Sequence, residues 1–519
     1  ENAERLTCFR RSAQFKGFAE KLYNVFSQLI TSAVDIDSLT APGALGMKLD
    51  DIRLLYKIYR EKTAGRYTDA SGRLELLQKH ADCPYIRSAV LYFVGHYGVT
   101  RQTEEVIDAL ASHAIDCTVY DCQPVCDRMA GFTVYRAPDN VTAVKAVARR
   151  INALANVGAQ YGDMCVVTAG GEREIKRIFT EHEIPHFTDS AAQLSAHPLA
   201  GFVLTALDCV LRGYRRRDMI RLAKNPCAGI DRRDADQLEN RSNERLVDYL
   251  GFFRPFDDFD GSNCEGAERA RKKLQDTLTP FGAAVRAADG PQAFVRAVND
   301  LLATADRADE QARDKIAGLL EQLSALLPSR CPIQLLTDCL TEGLSAATIG
   351  ALPQYANTVT VGPPAVFRGQ KYAHTFIIGF NDGVLPAYVD DAGLLSDAEC
   401  ETLQRNIAPT TSEINVRAAE ELKQIAVTAE DLFVTYNDGS GEHPSGVLTA
   451  LVGLAAASGN RVTEISAEQE KNAFLYETKD RLNALTAAYC ADRASALELL
   501  ITGLRTGVKT VSSIAAAVE

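Results

Sequence analysis

The feature of this sequence that most constrains its fold is an alternation of strand-like runs with longer amphipathic stretches. The strand-like runs occur at 88–95, 117–121, 132–140, 164–169, 358–362, 374–380 and 431–436, and the first two of them are predicted to be buried. The stretches that follow them repeat apolar residues at helical spacing, as Ile175, Ile178 and Phe179 do in "EREIKRIFTEH". Strands that alternate with helices predict an α/β fold.

The alternation is interrupted once. From about 213 to 345 no strand pattern remains, and segments such as "AFVRAVNDLLATA" carry apolar residues on one helical face. We therefore expect an α/β domain that starts near 132, is interrupted by an all-helical insertion, and resumes near 355. The first eighty and the last sixty residues are also expected to be helical.

Composition narrows the classes of protein. The 68 acidic and 56 basic residues give a formal net charge of −12, which argues against a chain coated in basic charge but permits a local basic groove. No apolar run approaches the roughly 18 residues of a membrane span. The N-terminus "ENAERLTCFRR" lacks a signal-peptide core, and the 13 cysteines are mostly isolated, so we expect a cytoplasmic protein or an internal piece of one. Cys117, Cys122 and Cys126 lack a C-x-x-C pair and favour free thiols over a metal site.

One motif imitates a zinc protease. The segment "HEIPH" fits H-E-x-x-H, which needs His182 and His186 on one helical face. Pro185 stands between them, cannot donate a backbone N–H, and pushes Ile184 towards extended geometry. The helix is therefore predicted to end before Pro185, with no metal held by the pair.

No motif in the sequence indicates a nucleotide-binding site either. No G-x-x-x-x-G-K-[ST] segment occurs, so these residues contain no loop of that type to bind phosphates. No nucleophile or metal constellation is found either. The sequence leaves enzymatic activity undecided, with no catalytic, cofactor-binding or metal residue assigned.

The stretch "TVTVGPPAVFRGQKYAHTFIIGFNDGVLPA" (358–387) resembles superfamily 1 (UvrD-like) helicases. In those proteins a strand leads into a T-x-H-x-x-K-G loop and a second strand ends in G-x-x-[ED]-G-x-x-P. Gly369, Gly379, Gly383 and Pro386 fall at the matching places of that pattern, and Arg368 takes the Lys position. Pro363 and Ala365 replace the Thr and His, and in "TAED" Ala429 replaces the nucleotide-sensing Arg. The resemblance implies a motor fold that has lost its ATP contacts.

Longer segments resemble the B subunit of the AddAB (RexAB) helicase–nucleases. They include "KLDDIRLLYKIYREKTAGRYTD", "HEIPHFTDSAAQLSAHPLAGFV", "DMIRLAKNPCAGIDRRDADQLEN" and "VTYNDGSGEHPS". The resemblance implies RecA-like domains with a large all-helical insertion, and a middle region without the P-loop segment and the C-terminal nuclease domain with its 4Fe-4S cluster. The implied boundaries are the remainder of a first helicase-like α/β domain with a helical subdomain at 1–131 and a second RecA-like domain at 132–212 and 351–455. The helical insertion would span 213–350, and 456–519 would be a helical linker toward the absent nuclease domain.

The same resemblance implies a function in processing double-strand DNA breaks for recombination. The chain would be a non-motor scaffold that guides DNA with a single-stranded portion. In the family, the B subunit also helps to recognise the Chi sequence. The implied partner is an AddA/RexA-type UvrD-like helicase–nuclease subunit. Candidate DNA contacts are Arg368 and a basic run that contains Arg215, Arg216, Arg217, Arg221 and Lys224. A solvated helix face is the alternative for that run. A purely structural module without DNA contact is the alternative function.

Overall fold

The computed structural model describes residues 3–63, 68–94, 100–120, 131–188, 192–256, 265–306, 309–350, 356–403, 407–472, 497 and 501. The chain forms two compact units, Glu1–Thr188 with Pro353–Glu519, and Asp189–Leu352. The strands are β1 Val90–Val94, β2 Asp116–Tyr120, β3 Gly131–Ala137, β4 Met164–Thr168, β5 His186–Thr188, β6 Ala192–Gln193, β7 Thr348–Ile349, β8 Val359–Gly362, β9 His374–Ile378, β10 Asp431–Asn437 and β11 Val462–Ser466.

The helices are distributed over both units. They are α1 Lys16–Thr31, α2 Gly43–Thr63, α3 Ala70–Lys79, α4 Pro84–Arg87, α5 Arg101–His113, α6 Asn140–Asn156, α7 Glu172–Glu181, α8 Pro198–Leu211, α9 Arg216–Ala223, α10 Arg232–Glu244, α11 Glu265–Ala287, α12 Pro291–Ala303, α13 Glu310–Leu326, α14 Ile333–Ala346, α15 Asp397–Thr402, α16 Thr411–Thr428, α17 Gly446–Ala457 and α18 Ala467–Asn472. In the described ranges no helix is long and apolar enough to cross a membrane.

A seven-stranded sheet organises the first unit. Its order is β11-β3-β10-β9-β4-β8-β5, and every pairing is parallel. Strands β3 to β5 precede the second unit in sequence and β8 to β11 follow it, yet they form one sheet. Every residue of β4 is buried, because apolar side chains cover both faces of the sheet. The α/β prediction is confirmed in this sense, as a mixed fold with parallel sheets.

Two predictions about strands need correction. The run "RVTEIS" lies in the tail that was predicted to be helical, but it forms β11 and pairs with β3. Its β-branched residues suit an edge strand, and its alternation is too short to distinguish from a helix in the sequence. The strands β1 and β2, which looked buried in the sequence, are only partly covered: alternate residues of β1 are exposed. Their sheet has two strands, and the apolar cluster that includes Val106 and Leu110 covers one face.

Within the described residues of the second unit, the regular elements are helices apart from a short antiparallel pair between β6 and β7. Helices α8 to α14 share one apolar core. The unit begins at Asp189, whereas the helical insertion predicted from the sequence begins at 213. The unit starts earlier than predicted because it includes α8, whose buried residues, such as Phe202 and Leu207, belong to this core.

The "HEIPH" segment spans two elements, as Pro185 predicts. Helix α7 ends at Glu181, His182 follows as its buried C-cap, and β5 begins at His186. Glu183 between them takes a left-handed backbone conformation with φ 57°. The two imidazoles therefore do not share a helical face.

Candidate nucleic-acid interface

The loop between β8 and β9 is the first candidate surface. It leaves the sheet at Gly362, forms a single helical turn at Pro364–Phe367, and returns to β9 at His374. Gly369 and Gly379 both have a φ of +72°, a left-handed conformation that L side chains rarely adopt. Phe367 is buried and anchors the turn, with its ring 5.8 Å from that of Tyr372. The glycines that carry the helicase resemblance thus occupy positions where the backbone requires glycine.

Arg368 of this loop is engaged within the protein. Its Nε donates to Oε1 of Glu421 on α16 at 2.9 Å, and its Nη2 lies 2.9 Å from the same oxygen. The hydrogen bond from Arg368 to Glu421 raises the pKa of Arg368, against an opposing effect of burial. The next cation, Lys371, pairs with Glu430 at 2.9 Å. The two cations of the loop are therefore partly neutralised by acids that precede β10.

The residues that replace the helicase nucleotide contacts carry no charge. Ala429, where the resemblance places an arginine, is 1% exposed and caps the end of α16. Pro363 and Ala365 begin the loop after β8. Methyl and pyrrolidine groups offer neither a donor nor a charge to a phosphate.

The basic run of the second unit separates into paired and unpaired cations. Arg221 donates from Nε to Thr205 Oγ1 at 3.0 Å and lies 3.7 Å from Asp208. Lys224 pairs with Asp236 and Glu239, and the hydrogen bond to Glu239 is the main cause that raises its pKa. Arg216 is half-buried, and its Nη1 donates to the carbonyl of Ser242 at 3.1 Å. These three side chains are held by the protein itself.

Arg215 and Arg217 differ from them. Both side chains are exposed, and neither has an ion-pair or hydrogen-bond partner for its guanidinium group within the described part of the chain. They flank Arg216 at the start of α9. Of the predicted DNA contacts, these two have the charge most available to a phosphate.

A neighbouring segment, 245–254, carries exposed side chains that the sequence motifs do not indicate. Oδ1 of Asp248 accepts the backbone N–H of Arg216 at 2.7 Å, which joins this segment to the start of α9. The side chain of Tyr249 is 56% exposed, and a Cβ at Gly213 would lie 3.9 Å from its Cδ1. Arg254 is also exposed and has no guanidinium partner among the residues described. An exposed aromatic ring thus lies beside the turn that leads to Arg215, and only the tertiary structure connects the two.

Metal ligands were not predicted in this chain. No three His, Cys, Asp or Glu side chains of the described residues are grouped so that they could hold a metal ion. Cys117 is half-buried on β2, while Cys122 and Cys126 lie outside the described residues.

Comparison with known proteins shows which proteins this chain is similar to. The family model "ADDB, N-terminal" matches residues 1–136. The B subunit of the ATP-dependent helicase/deoxyribonuclease from Bacillus velezensis is 23% identical, over 78% of this chain and 46% of its own length. The proteins of the same name from Geobacillus thermodenitrificans and Bacillus subtilis are 24% and 22% identical, over 88% and 78% of this chain.

The chain is related to AddB-type subunits. The resemblance to the B subunit of the AddAB helicase–nucleases is confirmed by the family model over residues 1–136 and by the curated relatives over most of the chain. The chain spans about half the length of these AddB relatives, 46% to 51% for the three proteins above.

Proposed function

We propose that this chain is a non-motor, DNA-guiding part of a helicase–nuclease that processes double-strand breaks for recombination. The observation that carries the proposal is the loop between β8 and β9. It keeps left-handed glycines at the helicase positions Gly369 and Gly379, while the nucleotide positions hold Pro363, Ala365 and the buried Ala429. A loop that retains its backbone geometry without its phosphate contacts suits a scaffold that no longer hydrolyses ATP.

The fold supports the same proposal. We infer that the seven-stranded parallel sheet is a RecA-like domain and that the helical unit Asp189–Leu352 is its insertion. The strands that precede and follow this unit alternate within the sheet, since β4 lies between β9 and β8. A chain that leaves and re-enters one sheet in this way is expected when a unit is inserted into a domain.

We attribute the proposed DNA contact to individual cations at the surface and not to the net charge of the chain. A chain with a net charge of −12 neutralises phosphates only where cations are free of internal acids. Arg215 and Arg217 meet that condition, and Arg368 would meet it after separation from Glu421. The expected ligand is DNA with a single-stranded portion, bound in a salt-sensitive and largely sequence-independent way.

If this chain is a non-motor scaffold, a partner subunit must supply the ATP-driven movement along DNA. We propose a UvrD-like helicase–nuclease subunit, in the cytoplasm, because a scaffold without ATP chemistry contributes to translocation only when another subunit moves the DNA. A permanent complex of this kind buries more than about 2,000 Å². Co-expression with such a subunit and size-exclusion chromatography test the partner directly, and separate elution would contradict it.

The test of DNA guidance uses a labelled forked duplex and a blunt duplex of equal length, without nucleotide. Tighter binding of the fork, weakened by salt and unchanged by ATP, supports the proposal. DNA-stimulated ATP hydrolysis above background by the purified chain contradicts the non-motor part. Absence of binding to either DNA at low salt favours the purely structural alternative, which the internal pairing of Arg221, Lys224 and Arg368 also supports.

A further inference from the structure

The segment 245–254 presents an aromatic ring to solvent from a rigid base. Phe252 is buried in the core of the helical unit. Phe253 packs edge-on against Tyr214, with ring centroids 4.7 Å apart. Tyr214 is itself fixed by Arg286, whose Nη1 donates to its hydroxyl at 3.0 Å. The inner side of the segment is therefore anchored, while Tyr249 on its outer side is free to make contacts.

The backbone around this ring is held in uncommon conformations. Among the described residues other than glycine, positive φ angles occur at Ala33, Glu183, Tyr214, Leu246 and Tyr249. Three of these five lie on the segment or in the turn beside it. Left-handed backbone is sterically unfavourable for a residue with a side chain, and such residues concentrate at binding and active sites. Their concentration here is the second observation that singles out this surface.

The segment and the start of α9 carry exposed arginines. Arg215, Arg217 and Arg254 are exposed and have no guanidinium partner in the described ranges. Asp248, the acid of the segment, binds the backbone: its Oδ1 accepts the N–H groups of Arg216 and Tyr249 at 2.7 and 3.0 Å. An exposed ring on this segment, which Asp248 joins to the start of α9, together with these three exposed arginines of the same two elements, suits a polyanion with flat apolar groups.

We propose that Tyr249 stacks on an unpaired base of single-stranded DNA while Arg215 and Arg217 bind the adjacent phosphates. The proposal rests on the DNA-guiding function above and assigns its base contact. Bases of a duplex are stacked on one another and do not offer a face to a protein ring, whereas bases of a single strand do. An apolar protein surface is a less suitable partner, because it would leave the three arginines without counter-charge.

Because the chain contains no tryptophan, a tryptophan introduced at one position reports on that position alone through its fluorescence. Tyr249→Trp introduces a single tryptophan at the proposed site, and Tyr85→Trp introduces one at another exposed tyrosine, 80% exposed, in the first unit. Each variant is titrated with a dT oligonucleotide of about 15 nucleotides and with an oligonucleotide of equal length whose sites are abasic. Binding is followed in parallel by the anisotropy of a label on the DNA.

The expected result is quenching of the Tyr249→Trp emission by dT, weaker quenching by the abasic strand, and no quenching of the Tyr85→Trp emission. Tyr249→Leu should weaken dT binding about fivefold or more and leave abasic binding nearly unchanged. Anisotropy that reports binding without quenching overturns the stacking contact and leaves the DNA-guiding function intact. Absence of binding by both readouts overturns both proposals. An emission change with the partner subunit, but not with DNA, identifies a protein-docking surface and overturns the stacking contact.

Discussion

Nε of Arg368 donates to Oε1 of Glu421 at 2.9 Å, so that the loop between β8 and β9 is held against helix α16 by opposite charges. The Arg368 side chain is 48% exposed and that of Glu421 is 18% exposed. A phosphate that approaches the loop must therefore compete with a carboxylate of the same protein. This pair makes Arg368 a conditional DNA contact.

Glu421→Gln should increase DNA affinity. The substitution removes the competing charge and leaves Arg368 in place, so a guanidinium becomes available to phosphate. We expect affinity for a single strand to rise a few-fold and its salt dependence to become steeper, while stability changes by less than about 1 kcal/mol because the pair is partly exposed. Arg368→Ala, measured beside it, should change the affinity little. Equal affinities of the wild type and Glu421→Gln would contradict a latent contact at Arg368.

Glu268 should make the helical unit sensitive to acid. Arg271 is 5% exposed on the side chain and donates to both carboxylate oxygens of Glu268, at 2.7 and 2.5 Å. This hydrogen bonding lowers the pKa of Glu268 from its ordinary value of 4.5. Because the folded pKa is lowered, the stabilisation is complete above the ordinary pKa and is lost as pH falls through the folded value.

Glu268→Gln tests that linkage. At pH 7 we expect the free energy of unfolding to fall by about 2–3 kcal/mol in this variant. The loss is smaller than the cost of breaking a fully buried ion pair, because the side chain of Glu268 is 36% exposed. Hydrogen exchange in α11, compared at pH 7 and near pH 4, should show a smaller change with pH in the variant than in the wild type. A matched control is Glu265→Gln, whose carboxylate is 81% exposed. Identical pH dependence of the wild type and Glu268→Gln would contradict the assignment.

The central strands of the sheet were predictable because burial on both faces requires a continuous apolar run. The run at 374–380 became β9, His374–Ile378, and "MCVVTA" became β4. The edge strand β11 was missed, since Thr463 and Glu464 are exposed and break the apolar pattern. Pattern reasoning therefore succeeds where tertiary burial is complete and fails at the edge.

The candidate site was only partly predictable, because the pairing of its charges depends on tertiary structure. The basic run at 212–224 is visible in the sequence, but its division into held and free cations depends on acids such as Asp236 and Glu239 on the next helix. Glu421 is distant in sequence from Arg368 and meets it only after α16 has packed on the sheet. Tyr249 is exposed and has a left-handed backbone, and a tyrosine in the sequence indicates neither feature.

Asp51 should hold the N-terminal segment in place. It is 3% exposed, and its carboxylate accepts the backbone N–H groups of Thr7, Cys8 and Phe9 at 2.7–3.0 Å. Asp51→Asn removes the charge that strengthens these bonds, and each bond to a charged group contributes roughly 1.5–3 kcal/mol. We expect faster hydrogen exchange at residues 7–9 and easier proteolysis there. Asp50→Asn, at a side chain that is 72% exposed, is the control and should leave both unchanged.

The two free arginines should account for more DNA binding than the held cations beside them. Arg215→Gln with Arg217→Gln removes two charges without an internal partner, whereas Arg221→Gln with Lys224→Gln removes two that are paired with acids. Both double variants change the net charge equally, so long-range electrostatics is matched. Each phosphate contact on a single strand contributes about −0.7 to the slope of log K against log salt. We expect the first variant to lose affinity at low salt and to flatten the slope by about 1.4, and the second to change both much less. Equal losses in the two variants would show that the run acts as a diffuse charge, without specific contacts at Arg215 and Arg217.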